Sequence, residues 1–242
     1  MGKPRFYDFN VHTVPDGKNT VNEVMAIAKH FGFSGIVITN HSNVEKTHIE
    51  QDMHSGVEAV KGVEIVASNP SKLHGLVGKY RKDVDVLAVH GGNEEINRAA
   101  VENPNVDILT HPQTTKNGGI NHVLAKSASY NNVSIEFNLN SLIKGRGGKR
   151  VHTLSFFSKN LELARKYNVP TIITSNAHTC YELRAPREMV ALAELFGMGK
   201  DEAIKSLSKV PENIILKNRE NSGTVRNGVE IIKEEIISSE GE

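Results

Sequence analysis

The sequence predicts an α/β barrel, closed or nearly so, of about seven parallel strands with flanking helices, and three observations predict it. Short β-rich apolar runs alternate with longer stretches of helical periodicity along the 242 residues, a pattern that builds β-α units and a parallel sheet. The run Pro170 to Ser175 is apolar on both faces, as a strand covered by helices must be. Polar residues gather just past the ends of these runs, where α/β folds place their sites.

Taken in order, Arg5 to Val11 (RFYDFNV) is the first expected strand. Thr20 and Glu23 form a capping-box pattern, and Val21, Val24, Ala28 and Phe31 mark one face of the helix that follows. Gly35 to Thr39, Gly62 to Ala67, Asp83 to Val89 and Val106 to Thr110 are the next four strands. Ile120, Val123, Leu124 and Ala128 share a helical face, and Val133 to Leu139 is the sixth strand. Leu154, Phe157, Leu161 and Ala164 mark another helix before the seventh strand, Pro170 to Ser175. Pro186 suits a first helical turn, Met189, Leu192, Ala193 and Phe196 form its apolar face, and Gly197 stops it.

Seven such units make one barrel of the TIM type. No eighth strand is evident, and Ile214 to Leu216 is expected to close part of the gap. Residues 1–218 therefore read as a single barrel domain. Residues 219–242 read as a charged C-terminal extension, loosely held or disordered, with Ile231, Ile232, Ile236 and Ile237 interleaved.

Hydrophobic content of 38% and charged content of 24% describe an ordinary soluble protein. No apolar run is long enough to span a membrane and the N-terminus lacks a signal-peptide core, so a cytoplasmic location with no membrane partner is expected. Cys180 is the only cysteine, which excludes an internal disulfide. The net charge of +1 is low for a nucleic-acid binder, so any RNA contact has to rest on local clusters.

One such cluster is Ser141 to Arg150 (SLIKGRGGKR), which holds Lys144, Arg146, Lys149 and Arg150 among three glycines. It reads as a mobile loop on the C-terminal face, suited to phosphate backbone or simply solvated. Arg184 and Arg187 flank Pro186 and are read as RNA or protein contacts, or as surface ion pairs with Glu182 or Glu188. Lys72, Lys79, Arg81 and Lys82 are a lesser extension of the basic surface. With 5% aromatic residues and no tryptophan, contact with backbone and shape is favoured over base reading.

The polar strand-end set is Asn10 and His12, Asn40 and His41, Glu64, His90, His111, and Asn176 with His178. As Asn10-Val11-His12, Thr39-Asn40-His41, Gly62-Val63-Glu64, His111-Pro112 and Asn176-Ala177-His178, it resembles the motifs of the PHP metallohydrolases. In those enzymes a His-x-His pair, Asp-His, Glu, His and Asp-x-His bind two or three metals and hydrolyse phosphoesters. This sequence departs from them at Asn10, in place of a histidine, and at Asn40 and Asn176, in place of aspartates. An amide is a poor ligand and carries no charge to offset a cation. The expectation is a relic site with no metal, its histidines hydrogen-bonded to asparagines and backbone. The alternative is one ion on His12, Glu64, His111 and His178, and with it a stand-alone phosphoesterase.

Leu183 to Glu188 (LRAPRE), Leu195 to Met198 (LFGM), Ser206 to Leu216 and Gly119 to Lys126 (GINHVLAK) resemble the component 3 family of archaeal and eukaryotic ribonuclease P, over nearly the whole chain. That resemblance implies a PHP-like barrel and a role in endonucleolytic removal of the 5′ leader from precursor tRNA. It implies that the RNA subunit carries the chemistry with Mg2+, so that no residue here is catalytic and no cofactor is held by the chain. The implied partners are the ribonuclease P RNA, protein component 2, the other protein components and precursor tRNA. Within the GINHVLAK block, Asn121, His122 and Lys126 become family-motif or partner-contact residues. His122 has no carboxylate at an obvious spacing, which favours a loop carbonyl or a partner over catalysis.

Overall fold

The computed structural model describes residues 3–44, 56–113 and 119–222. Its strands are β1 (Tyr7–Val11), β2 (Gly35–Ile38), β3 (Glu58–Ile65), β4 (Val86–His90), β5 (Ile108–Thr110), β6 (Ser134–Asn138) and β7 (Thr171–Thr174). They pair in sequence order, all parallel. Between and after them lie α1 (Val21–Phe31), α2 (Pro70–Tyr80), α3 (Glu94–Val101), α4 (His122–Asn131), α5 (Leu139–Lys144), α6 (Gly148–Tyr167), α7 (Pro186–Glu194), α8 (Lys200–Leu207) and α9 (Lys209–Ser222).

The sheet nearly closes on itself. Val11 bridges Ala177 in parallel, and the His12 amide donates to Ala177 O at 2.8 Å. Below that bridge the Ser175 amide donates to the side chain of Asp8 at 3.1 Å instead of to a ladder partner. The seam between β1 and β7 is thus short and partly made by a side chain.

Strand alternation separates the layers. Tyr7, Phe9, Val37, Val60, Val86, Ala88, Ile108 and Ile172 form an inner cluster, while the opposite residues pack outward against the helices. Continuing each inner row towards the strand's C-terminal end turns apolar into polar: Val60, Gly62, Glu64; Val86, Ala88, His90; Ser134, Glu136, Asn138; Ile172, Thr174. β1 breaks the rule through a register shift between Asp8 and Val11, so that Phe9 and Asn10 both serve the interior while Val11 joins the outer core. Gly62 is required where it stands, since a Cβ there would lie 2.6 Å from Val37 Cγ1.

Four expectations need correction. Ile214 to Leu216 is helical: it lies in α9, whose Ile214 and Ile215 cover the base of the inner core. An apolar triplet is too short for periodicity to distinguish strand from helix. The barrel also extends past 218, because Arg219 pairs with Asp85 and Glu58, and Asn218 Nδ2 donates to Asp85 O at 2.7 Å and Asp107 Oδ1 at 2.9 Å. The remainder of the expected extension, with its isoleucines, lies outside the described residues. Arg81 is not spare basic surface, since it pairs with Asp107 at 2.6 Å and donates to the Val84 and Asp85 carbonyls. Val123, expected on the buried face of α4, is 39% exposed.

Candidate functional site at the barrel mouth and its basic rim

At the mouth the strand-end residues meet around two buried carboxylates, Glu64 and Glu136. Glu64 Oε1 is satisfied twice, by His90 Nδ1 at 2.7 Å and Thr110 Oγ1 at 2.6 Å. Among the described residues Glu64 Oε2 is buried without a hydrogen-bond partner, and it faces His12 Nε2 at 3.7 Å and His41 Nε2 at 3.8 Å. Glu136 is satisfied on both oxygens, Oε1 by Asn10 Nδ2 at 2.9 Å and Thr174 Oγ1 at 2.6 Å, Oε2 by the His111 amide at 3.0 Å.

Asp16 was not among the expected residues, yet it organises this half of the mouth. Its Oδ2 accepts from His12 Nδ1 at 2.9 Å, from His41 Nδ1 at 2.8 Å and from the His41 amide at 2.8 Å. A tight turn delivers it: the Asp16 and Gly17 amides both donate to Thr13 O, and a Cβ on Gly17 would lie 2.2 Å from His12 O. Holding both Nδ1 atoms on one carboxylate turns both Nε2 atoms towards Glu64, the arrangement that orients ligating histidines. Strand-end backbone strain accompanies the site, with His111 at φ 46° and Asn176 at φ 47° in the left-handed region.

The electrostatics follow from burial and pairing. Burial opposes ionisation of Glu64, but the His90 hydrogen bond and the charges of His111, His90 and His12 outweigh it and hold the carboxyl well below its usual range. Asp16 is likewise held low: the His12 and His41 contacts outweigh its burial. Burial lowers His90, yet the hydrogen bond and charge of Glu64 raise it overall. His178, stacked on His12 with ring centroids 4.1 Å apart, is lowered by burial and then by the charge of His12. Asp8, fully buried, is pushed up to about 6.

The asparagines are committed. Asn40 Oδ1 accepts from the Thr13 amide at 2.8 Å and its Nδ2 donates to Thr13 O at 3.0 Å. Asn176 Oδ1 is 3.0 Å from His12 Nε2, and Asn138 Nδ2 is 3.1 Å from His111 Nδ1. A two- or three-ion hydrolytic centre does not fit this set: both Glu136 oxygens already accept hydrogen bonds, and three positions carry neutral amides. One ion fits one half, because Glu64 Oε2 is a buried anionic oxygen facing two imidazole nitrogens. The structure does not bring the expected foursome of His12, Glu64, His111 and His178 together. Its clusters are His12, His41 and Glu64, and Glu64, His90 and His111.

On the rim, the segment from Ser141 to Arg150 is no loop: α5 ends at Lys144, three residues turn, and α6 begins at Gly148. Arg150 donates to the Leu142 and Ile143 carbonyls at 3.2 Å each, closing the end of α5. Lys144 pairs with Glu182, which places this segment beside the turn carrying Arg184. Arg184 in turn holds the Tyr181 and Leu183 carbonyls at 2.8 and 2.7 Å. Arg146, Lys149 and Arg187 are exposed, and among the described residues their side chains have no ion pair or hydrogen bond. Asn121 is the N-cap of α4, its Oδ1 accepting from the Val123 and Leu124 amides. His122 and Lys126 are exposed on that helix.

Comparison with known proteins bears on both regions. The family model described as RNase P subunit p30 matches residues 5–222. Ribonuclease P protein component 3 of Methanococcoides burtonii is 59% identical over 233 residues, 96% of this chain and 96% of that protein. The component 3 of Methanosarcina barkeri is 52% identical, covering 97% and 98% respectively. Among solved structures, a chain of archaeal ribonuclease P with mature tRNA, determined by cryo-electron microscopy, superposes with a TM-score of 0.76. It is 30% identical, with 95% of this chain and 99% of that chain covered. A histidinol phosphate phosphatase from Lactococcus lactis shares the fold alone, with a TM-score of 0.55, 12% identity, and 80% of this chain and 94% of that chain covered.

Proposed function

The chain belongs to the RNase P subunit p30 family, and from that premise we propose how a barrel built like a hydrolase serves ribonuclease P. It is a protein subunit of that enzyme, in the tRNA 5′-processing reaction. The observation that carries this reading is end-to-end similarity to component 3 proteins, together with the match to a chain of the assembled archaeal enzyme.

In finer detail, the RNA subunit performs leader cleavage with Mg2+, and this chain supplies shape and cations without a catalytic residue of its own. The hydrogen-bonded Glu136 and the amides at Asn10, Asn40 and Asn176 support that division, since they disfavour a multi-ion centre to activate water. They also count against a stand-alone phosphoesterase. The RNA-facing surface is the rim around the α5–α6 turn and the Arg184–Arg187 corner, which the Lys144–Glu182 ion pair joins into one patch. Other barrel surfaces, the exposed His122 and Lys126 of α4 among them, meet component 2 and the remaining protein components, and the assembly works in the cytoplasm.

Reconstitution with the RNA and the other protein components tests this. Adding the chain together with component 2 should raise leader cleavage at limiting Mg2+. Arg146→Ala with Lys149→Ala removes two cations that have no described internal role. This pair should weaken RNA association and reduce the slope of log affinity against log salt by about 1–2. An unchanged slope removes this turn from the RNA-facing surface.

A further inference from the structure

We propose that the mouth of the barrel binds one zinc-type divalent ion through His12 Nε2, His41 Nε2 and Glu64 Oε2, with Asp16 as the residue that positions both histidines. The ion ties together the ends of β1, β2 and β3 and has no hydrolytic task.

Four observations carry this. The three donor atoms lie within 4.8 Å of one another. Ligand atoms around a tetrahedral zinc with bonds of about 2.0–2.1 Å sit roughly 3.4 Å apart, and the two imidazole nitrogens are 3.7 and 3.8 Å from Glu64 Oε2. The two oxygens of Glu64 differ sharply, since Oε1 has two donors and the buried Oε2 has none among the described residues. A buried anionic oxygen without a donor is costly unless a cation answers it. Finally, Asp16 accepts both Nδ1–H groups, which turns both Nε2 atoms inward, that of His41 towards Glu64 and that of His12 towards Glu64 and Asn176 Oδ1.

Charge balance sets the number at one. Two neutral imidazoles with the carboxylates of Glu64 and Asp16 offset a single divalent cation. The second cluster, Glu64, His90 and His111, is already closed by hydrogen bonds, since its Glu64 Oε1 accepts from His90 Nδ1 at 2.7 Å and Thr110 Oγ1 at 2.6 Å. Two imidazoles and one carboxylate favour zinc over magnesium or calcium. On binding, the metal displaces the contact that His12 Nε2 makes with Asn176 Oδ1 at 3.0 Å.

The test uses the full chain, stripped with a chelator and titrated with Zn2+ by calorimetry, with thermal melts alongside. One equivalent should bind, and the midpoint should rise by roughly 5–10 °C at a hundredfold excess over Kd. Co2+ in place of Zn2+ should give the visible absorption of a tetrahedral site. His41→Gln, at a partly exposed position, should abolish the strong site while the metal-free melting point stays close to that of the parent. Asp16→Asn should lower affinity by about 10–100-fold and alter the Co2+ spectrum, a readout that general loosening of the fold would not produce. His30→Ala, on exposed α1, should leave affinity unchanged. Unaltered affinity in His41→Gln, two or more strong equivalents, or no binding below millimolar Zn2+ each overturns the proposal.

Discussion

Asp8 and Asp16 are eight residues apart in the sequence and respond to the fold in opposite directions. Asp16 is held ionised by two imidazoles, whereas Asp8 is raised by burial from 3.8 to about 6 despite donors from Ser175 and Asn10. A carboxyl raised on folding contributes stability that is complete below its unfolded pKa and lost as pH climbs through the folded value. Asp8→Asn keeps the acceptor oxygen and removes that loss. Thermal or urea unfolding should show the variant more stable at pH 7.5 by on the order of 1–3 kcal/mol, with the gap closing below pH 4. A gap between variant and parent that is the same at both pH values would contradict the shift. The sequence placed most mouth residues because each ends a strand. Glu136 and Asn138 were within reach of the same period-two rule, since Ser134, Glu136 and Asn138 alternate inward from a strand already recognised. Asp16 was not, because its place depends on a turn that only Gly17 can close beneath His12.

Helix ends and turns show why certain family-like blocks look as they do. Gly119 adopts φ 94° beside Asn160, and Asn121 then caps α4, so the GINH tetrad reads first as a helix entry. Asn121→Ala should therefore cost about 1 kcal/mol and lower the melting point by roughly 2–4 °C, whether or not a partner also touches it. A neutral result in the isolated chain would shift the weight of that residue to an interface. The basic segment after β6 teaches a different lesson. Three glycines among four cations read as a loop, but Arg150 is consumed in finishing α5 and Lys144 in holding Glu182. Arg150→Ala should accordingly destabilise the chain without RNA present, whereas Lys149→Ala should change unfolding by less than about 0.5 kcal/mol. Denaturant melts of the two single variants distinguish these roles.

For the molecule as a whole, strand order and handed alternation of layers were legible because every β-α unit announces itself by period. The base of the barrel was not. Its cover, α9, contributes two isoleucines and a pair of polar side chains whose partners, Asp85, Asp107 and Glu58, come from three distant segments. A chain ending after Ser208 should expose the lower inner core and bind a hydrophobic dye such as ANS, with loss of the cooperative melt. Retention of a sharp transition would show that the strands hold the interior closed unaided. Balanced overall charge is consistent with the same picture, in which a few rim cations, not a global field, would meet phosphate.

The narrow join between the first and last strands has a bearing on biosynthesis. As the polypeptide leaves the ribosome, the residues of β2 emerge soon after those of β1, whereas Ala177, which engages the other edge of β1, emerges long after both. Closure then depends on contacts between residues very far apart in sequence, a feature that slows folding and leaves an open edge available to other chains meanwhile. An accompanying chaperone, or prompt capture by assembly partners, would matter most during that interval.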